Sequence, residues 1–240
     1  MIRFYAPDIA SDPILPEVES QHCVKVLRTS PGEIVEVVDG VGFLYRCRMV
    51  DPHPKRALVE VVERMPLPLP WTARITVAIG PTKHMDRMEW LVEKLVEIGV
   101  NRIIPIRTRY SERKEIKQER LQKIAVSAMK QSLKAVLPEI QPMTPVSDVI
   151  SADYGSAQKF IAYCDPDIPR IGLADAYTPG SDALILIGPE GDFSKEEIDM
   201  ALGHGFAPVT FGDNRLRTET AALYGCTAIH VLNTAAHKKL

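Results

Sequence analysis

The 240-residue sequence predicts an α/β protein with a mainly parallel sheet, preceded by a smaller β-rich domain. Three observations carry this. Within Ala183 to Leu232 an apolar run twice breaks into a turn and passes into a capped helical segment. A strand-helix-strand unit runs from Arg74 to Ile106, and short β-branched runs separated by turn signals fill Glu33 to Val62. At 45% hydrophobic, the chain is long enough for one large or two small cored domains.

From the N-terminus, MIRFYAPDIASDPILPEVES has no apolar signal region. No apolar run elsewhere approaches the roughly 20 residues needed to cross a bilayer, so a cytoplasmic location without membrane attachment is expected. In QHCVKVLR, His22, Lys25 and Arg28 recur every three residues, with Val24 and Leu27 pointing the other way. Such a basic helical face meets phosphates or is simply wet. Hairpins follow, one carrying an Asp-Gly turn. They end at MPLPLPW, where three alternating prolines cannot continue a central strand or a helix interior. The boundary is placed there, with domains over residues 1–70 and 71–240.

Strand RITVAIG (Arg74 to Gly80) leads through the basic loop TKHMDR into helix DRMEWLVEKLVEIG and strand RIIPI (Arg102 to Ile106). Met88, Leu91, Val92, Leu95 and Ile98 share one helix face, Asp86 and Glu89 have capping-box spacing, and Gly99 suits the stop. The basic loop lies at a strand's carboxyl end, where α/β sheets bind ligands, which makes Lys83 and Arg87 candidates for phosphate contacts. A second amphipathic helix is expected from about Gln118 to Val136, with Leu121, Ile124, Ala125, Ala128 and Met129 inward. Strand KFIAYC (Lys159 to Cys164) comes next.

Strand ALILI (Ala183 to Ile187) ends in GPEG, and the helix beyond opens with Ser194 and Glu197 at capping-box spacing. Gly188 and Gly191 let backbone approach a ligand closely, or make only a tight turn. It is no P-loop, because no Gly-Lys-Ser/Thr follows. After PVTFG, the stretch RLRTETAAL places Thr218 as a possible cap, with Arg215, Arg217 and Glu219 at the helix entrance and Ala222, Cys226 and Ile229 on its apolar face. That cluster binds an anion or is a solvated cap.

A net charge of −2 argues against a uniformly cationic nucleic-acid binder but leaves local basic patches open. Four scattered cysteines and six scattered histidines suggest neither a disulfide framework nor a metal site. Glu190 and Glu219 are candidate acids or bases without a histidine partner, and no triad context supports a hydrolase.

With HCVKVLR and its following DG hairpin, KHMDRMEWLVEKLVEIGV, KQS, LIGPEGDFSKEEID and LRTETAAL in order, the chain resembles the bacterial 16S rRNA (uracil-N3) methyltransferase family, RsmE, of the knotted SPOUT superfamily. The resemblance implies a PUA-like RNA-binding β-barrel and an α/β methyltransferase domain tied in a trefoil knot. It also implies a homodimer, S-adenosylmethionine (SAM) as cofactor, and 16S rRNA of the small ribosomal subunit as substrate at uridine 1498. Cofactor contacts would come from Leu186, Ile187, Gly188, Pro189, Glu190 and Gly191, and from Phe211, Gly212, Leu216, Arg217 and Thr218. His22, Lys25, Arg28, Lys83, Arg87, Gln131 and Lys134 would touch RNA. No metal is implied.

Uracil N3 carries a proton near neutral pH, so the chemistry wants a base and a cation near the uracil oxygens. Arg217 and Glu219 are the expected catalytic pair. Five positions depart from the family pattern, two of them Lys130 and Leu133 in a run that is commonly Glu-Gln-Ser-Gly-Arg. Lys134 stands where an arginine is usual, losing the planar fork; Gln21 stands where a first histidine is common, and Asp192 replaces a second glycine after GPEG. Two other readings remain, a SPOUT enzyme of another specificity such as ribose 2′-O-methylation, and a non-catalytic RNA-binding assembly factor.

Overall fold

In the computed structural model, which describes residues 2–164 and 169–237, the chain folds as two compact units. One comprises Met1–Trp71 with Ala125–Leu137, the other Thr72–Ile124 with Pro138–Leu240. Residues 125–137, which the sequence groups with the second domain, therefore belong to the first. Gly42 N–H donates to Ala135 O (2.9 Å) and Leu137 N–H to Gly40 O (2.8 Å), closing this segment onto the hairpin turn. Such docking leaves no trace in local periodicity.

The first unit is a four-stranded sheet of β1 (Arg3–Tyr5), β2 (Ile34–Val38), β3 (Phe43–Asp51) and β4 (Leu58–Pro66), in that order, with α1 (Glu17–Gln21) between β1 and β2. Its core gathers Phe4, Ile9, Leu15, Cys23, Val37, Tyr45 and Met49. The Asp-Gly turn is held by Asp39, whose Oδ1 accepts Val41 N–H (2.9 Å) and Phe43 N–H (3.1 Å) while Oδ2 accepts Tyr45 O–H (3.1 Å). Strand β4 runs on into Met65 and Pro66, the first residues of the expected connector. Because β4 is an edge strand, Pro66 costs no ladder bond there.

The second unit is an all-parallel sheet. Its strands are β5 (Ile75–Ile79), β6 (Arg102–Arg107), β7 (Glu139–Ile140), β8 (Thr144–Pro145), β9 (Gln158–Ala162), β10 (Ile171–Gly172), β11 (Ala183–Ile187) and β12 (Ala207–Thr210). They lie in the order β10-β12-β9-β11-β5-β6-β7, with β8 also paired to β6. Every residue of β5 and β11 is buried, as expected of uniformly apolar central strands covered on both faces.

The helices are α2 (Met85–Ile98), α3 (Gln118–Gln131), α4 (Val146–Ser151), α5 (Leu173–Ala176), α6 (Lys195–Gly203) and α7 (Thr218–His237). In α2 the buried face is Met88, Leu91, Val92, Leu95 and Val96; Ile98 is only half-buried, and Gly99 ends the helix at φ 127°. The Asp86 and Glu89 capping box does not form. Glu89 instead takes Arg120 in a two-pronged pair, Nε to Oε1 at 2.6 Å and Nη2 to Oε2 at 2.8 Å. The Ser194 and Glu197 box does form on α6. Helix α3 stops at Gln131 rather than Val136, because Leu133 turns left-handed (φ 55°) and Lys134 N–H donates back to Met129 O (3.0 Å). Among the described residues no helix is long and apolar enough to cross a membrane.

Candidate active site

Three adjacent strands, β12, β9 and β11, end on the same side of the sheet, so the loops after them share one opening. They wall a cavity of about 550 Å³, inside the roughly 300–1,000 Å³ range of small-molecule sites. One wall is the 188–192 loop, the second is 210–218 leading into α7, the third is Tyr163, Cys164 and Arg170, and Arg87 of α2 adds a side.

The first wall is tightly braced. Pro189 lies against Gly80, where a Cβ would sit 2.5 Å from Pro189 N. A Cβ on Gly191 would meet Tyr110 Cβ at 2.8 Å, and one on Gly188 would meet the Asp192 backbone at 3.1 Å. A side chain at Gly191 would therefore force Tyr110 to shift, and one at Gly188 would press on the loop's own backbone, so the loop's packing by itself favours glycine at both positions. Glu190 Oε1 accepts Lys83 N–H (3.0 Å), so this carboxylate ties two loops together. Leu186 does not line the cavity; on a strand with period-2 alternation it points with Leu184 into the core, while Ile187 faces the opening.

The second wall is open. Gly212 has φ 102° with nothing within 4 Å of a built Cβ. Arg215 and Arg217 are exposed into the cavity mouth and make no ion pair or side-chain hydrogen bond among the described residues. Phe211 packs on Tyr224 of α7 (5.5 Å between centroids). Thr218 is the first helical residue and not the cap, since Arg217 O accepts the Ala221 N–H (2.8 Å).

At the helix entrance Glu219 is 6% exposed. Its Oε1 lies 3.8 Å from Arg87 Nη1, and its Oε2 is buried with no partner. A buried carboxylate oxygen without a donor is costly and rare, which makes it a natural acceptor for an incoming N–H. The cavity thus brings together Ile187, Gly188, Pro189, Glu190, Gly191, Phe211, Gly212, Leu216, Arg217, Thr218, Glu219 and Arg87 from the sequence-derived set. The Tyr163, Cys164 and Arg170 wall was missed. Its available signal was that KFIAYC ends at the carboxyl edge of a parallel strand.

The basic residues have more settled surroundings than a bare phosphate face. Lys83 Nζ pairs with Glu112 (3.1 Å). In the first unit, the expected helical face is not an α-helix at all, because α1 passes into a π-helical turn over His22–Val26 and Arg28 follows in a left-handed conformation (φ 56°). Cys23 is the buried residue, Val26 and Leu27 are exposed, and His22 packs edge-on against Phe4 (5.8 Å). Lys25 and Gln131 are exposed, Lys134 is half-buried, and Lys130 pairs with buried Glu19 (2.5 Å).

Comparison with known proteins fits this architecture. Residues 69–230 match the RNA methyltransferase domain and residues 15–62 the RNA methyltransferase PUA domain. The crystal structure of a probable rRNA-methyltransferase from Porphyromonas gingivalis is 46% identical with a TM-score of 0.94, covering 98% of this chain and 100% of that one. A ribosomal RNA small subunit methyltransferase E from Neisseria gonorrhoeae, solved bound to S-adenosyl methionine, is 29% identical with a TM-score of 0.85 over 97% of this chain and 98% of its own. The Aquifex aeolicus ribosomal RNA small subunit methyltransferase E is 30% identical over 88% of this chain and 90% of its own length. Fold, cavity and likeness define the class, an RNA methyltransferase carrying a PUA domain. Within it, the chain belongs to the ribosomal RNA small subunit methyltransferase E family.

Proposed function

We propose that this protein methylates N3 of one uridine, the counterpart of uridine 1498, in small-subunit 16S rRNA, with SAM as methyl donor, working in the cytoplasm. The observation that carries the reading is Glu219, a buried carboxylate with one unpartnered oxygen at the mouth of a cofactor-sized cavity. SAM, when bound, supplies an electrophilic methyl group. Backbone of the 188–191 and 211–218 loops would hold it, with Ile187 and Leu216 as apolar contacts.

Glu219 Oε2 accepts the N3 hydrogen of the uracil, and its other oxygen stays beside the Arg87 guanidinium. Arg217, unpaired and at the mouth, neutralises the charge that develops on the uracil oxygens as the proton leaves. The same loops form the SPOUT-type knotted region in this reading, and the active species is a homodimer. His22, Lys25, Arg28, Gln131 and Lys134 of the first unit, with Lys83 and Arg87 of the second, supply phosphate contacts, so RNA affinity is expected to fall steeply with salt.

The test is incubation of the protein with labelled SAM and small ribosomal subunits from cells lacking the modification, followed by nucleoside analysis. Label on uracil N3 is expected. Label on a ribose, or none while SAM is bound, would overturn the assignment.

A further inference from the structure

Asp192 occupies a position where the backbone favours glycine. Its φ is 62°, in the left-handed region. Aspartate tolerates that region better than most residues, but it still adopts it at some cost, so the side chain must be retained for what it holds. Both its oxygens are engaged. Oδ1 accepts the N–H of Phe193 (2.9 Å), and Oδ2 accepts the N–H of Cys164 (2.7 Å). The second bond leaves its own loop. Cys164 follows β9, and β9 pairs with β11 in parallel register, Ala162 opposite Ile187, so the residues just beyond them form neighbouring walls of the cavity.

We infer that Asp192 is a positioning residue that sets the separation of two walls of the cofactor cavity. It works through three connections at once. Asp192 N–H donates to Pro189 O (2.9 Å), closing the 188–192 turn. The Asp192 backbone is the surface against which Gly188 packs. The carboxylate then ties that closed turn to the end of β9 through a charge-assisted bond, which is stronger and more directional than a neutral one. Phe193, whose N–H caps Oδ1, is buried in the sheet core beside Tyr163, so the tie is anchored at both ends. A glycine here would satisfy the backbone but leave the two walls joined only through the sheet.

This inference rests on the reading of the cavity as a SAM site. Asp192→Gly is the informative variant because glycine suits φ 62°, so the fold is spared and only the side-chain bonds are lost. Calorimetry is expected to give a SAM Kd raised about tenfold, with kcat at saturating SAM changed less than about twofold, and Asp192→Asn falling between the two. Amide exchange in the protein without SAM should show protection at Cys164 lost in Asp192→Gly. Unchanged Kd in Asp192→Gly, with the wild-type protein binding normally, overturns the inference alone; a fall in kcat at unchanged Kd does so as well. Absence of SAM binding by the wild-type protein overturns the reading of the cavity and this inference with it.

Discussion

In the 188–192 loop nearly every small or polar position has a fixed neighbour. Gly191 abuts Tyr110, Glu190 holds Lys83 N–H, Asp192 holds Cys164 N–H, and Pro189 is seated on Gly80. In the 211–217 loop Gly212 stands in open space, and Arg215 and Arg217 make no ion pair or side-chain hydrogen bond among the described residues. One wall is prefabricated and the other is left adjustable. Under the proposed function both walls hold SAM, and the open one, which carries Arg217 and leads into Glu219, also meets the substrate base.

Changes to the open wall should therefore cost chemistry but little stability. Glu219→Gln is expected to lower methyl transfer about 100- to 10,000-fold with SAM affinity nearly unchanged. Arg217→Ala should lower it about 100- to 1,000-fold. Full methylation by either variant, measured as single turnover, would remove that residue from the mechanism. Substitution in the braced wall should do the reverse. Gly80→Ala drives a Cβ into Pro189 backbone, so unfolding in denaturant should show a loss of about 1–3 kcal/mol together with weakened SAM binding.

Smaller effects sharpen the contrast. Gly212→Ala meets no atoms and should cost only the strain of φ 102°, about 1 kcal/mol; a loss several-fold larger would mean the second wall is not open. Among the thiols, burial pushes Cys226 up to about 12 and Cys47 up to about 11, so both should resist alkylation in the folded protein. Cys164 is exposed, but burial of its sulfur and then the Asp192 charge raise its pKa. Its thiolate therefore appears only at higher pH than for an ordinary cysteine, and its alkylation rate should lag a free thiol at pH 8 and catch up as pH rises. Modification of Cys226 before Cys164, read by mass spectrometry, would contradict the burial pattern.

Much was legible beforehand because it is written in short-range pattern. Strand β11 has the bounds of its apolar run, α6 has its capping box, and α2 stops at Gly99. Legibility failed where a side chain's partner is far away in sequence. Glu89 abandons its capping position for Arg120, and α3 stops early at the left-handed Leu133, whose carbonyl accepts Arg3. The basic repeat of His22, Lys25 and Arg28 predicts one helical face, but the helix there is a π-helical turn over His22–Val26 and Arg28 lies beyond it in a left-handed conformation, so the three do not share one α-helical register.

By itself the sequence determined the α/β class, the parallel grammar of the second unit and the two loops that would meet a ligand, because hydrophobic period and turn chemistry are local properties. Tertiary structure alone decided what surrounds those loops. It packed the GPEG glycines against Tyr110 and Asp192, moved Leu186 into the core, brought the Cys164 wall to the cavity, and left Glu219 buried with one oxygen unpartnered. Each of these depends on which strands lie side by side, and sheet order is set by contacts between residues that the chain separates by tens of positions.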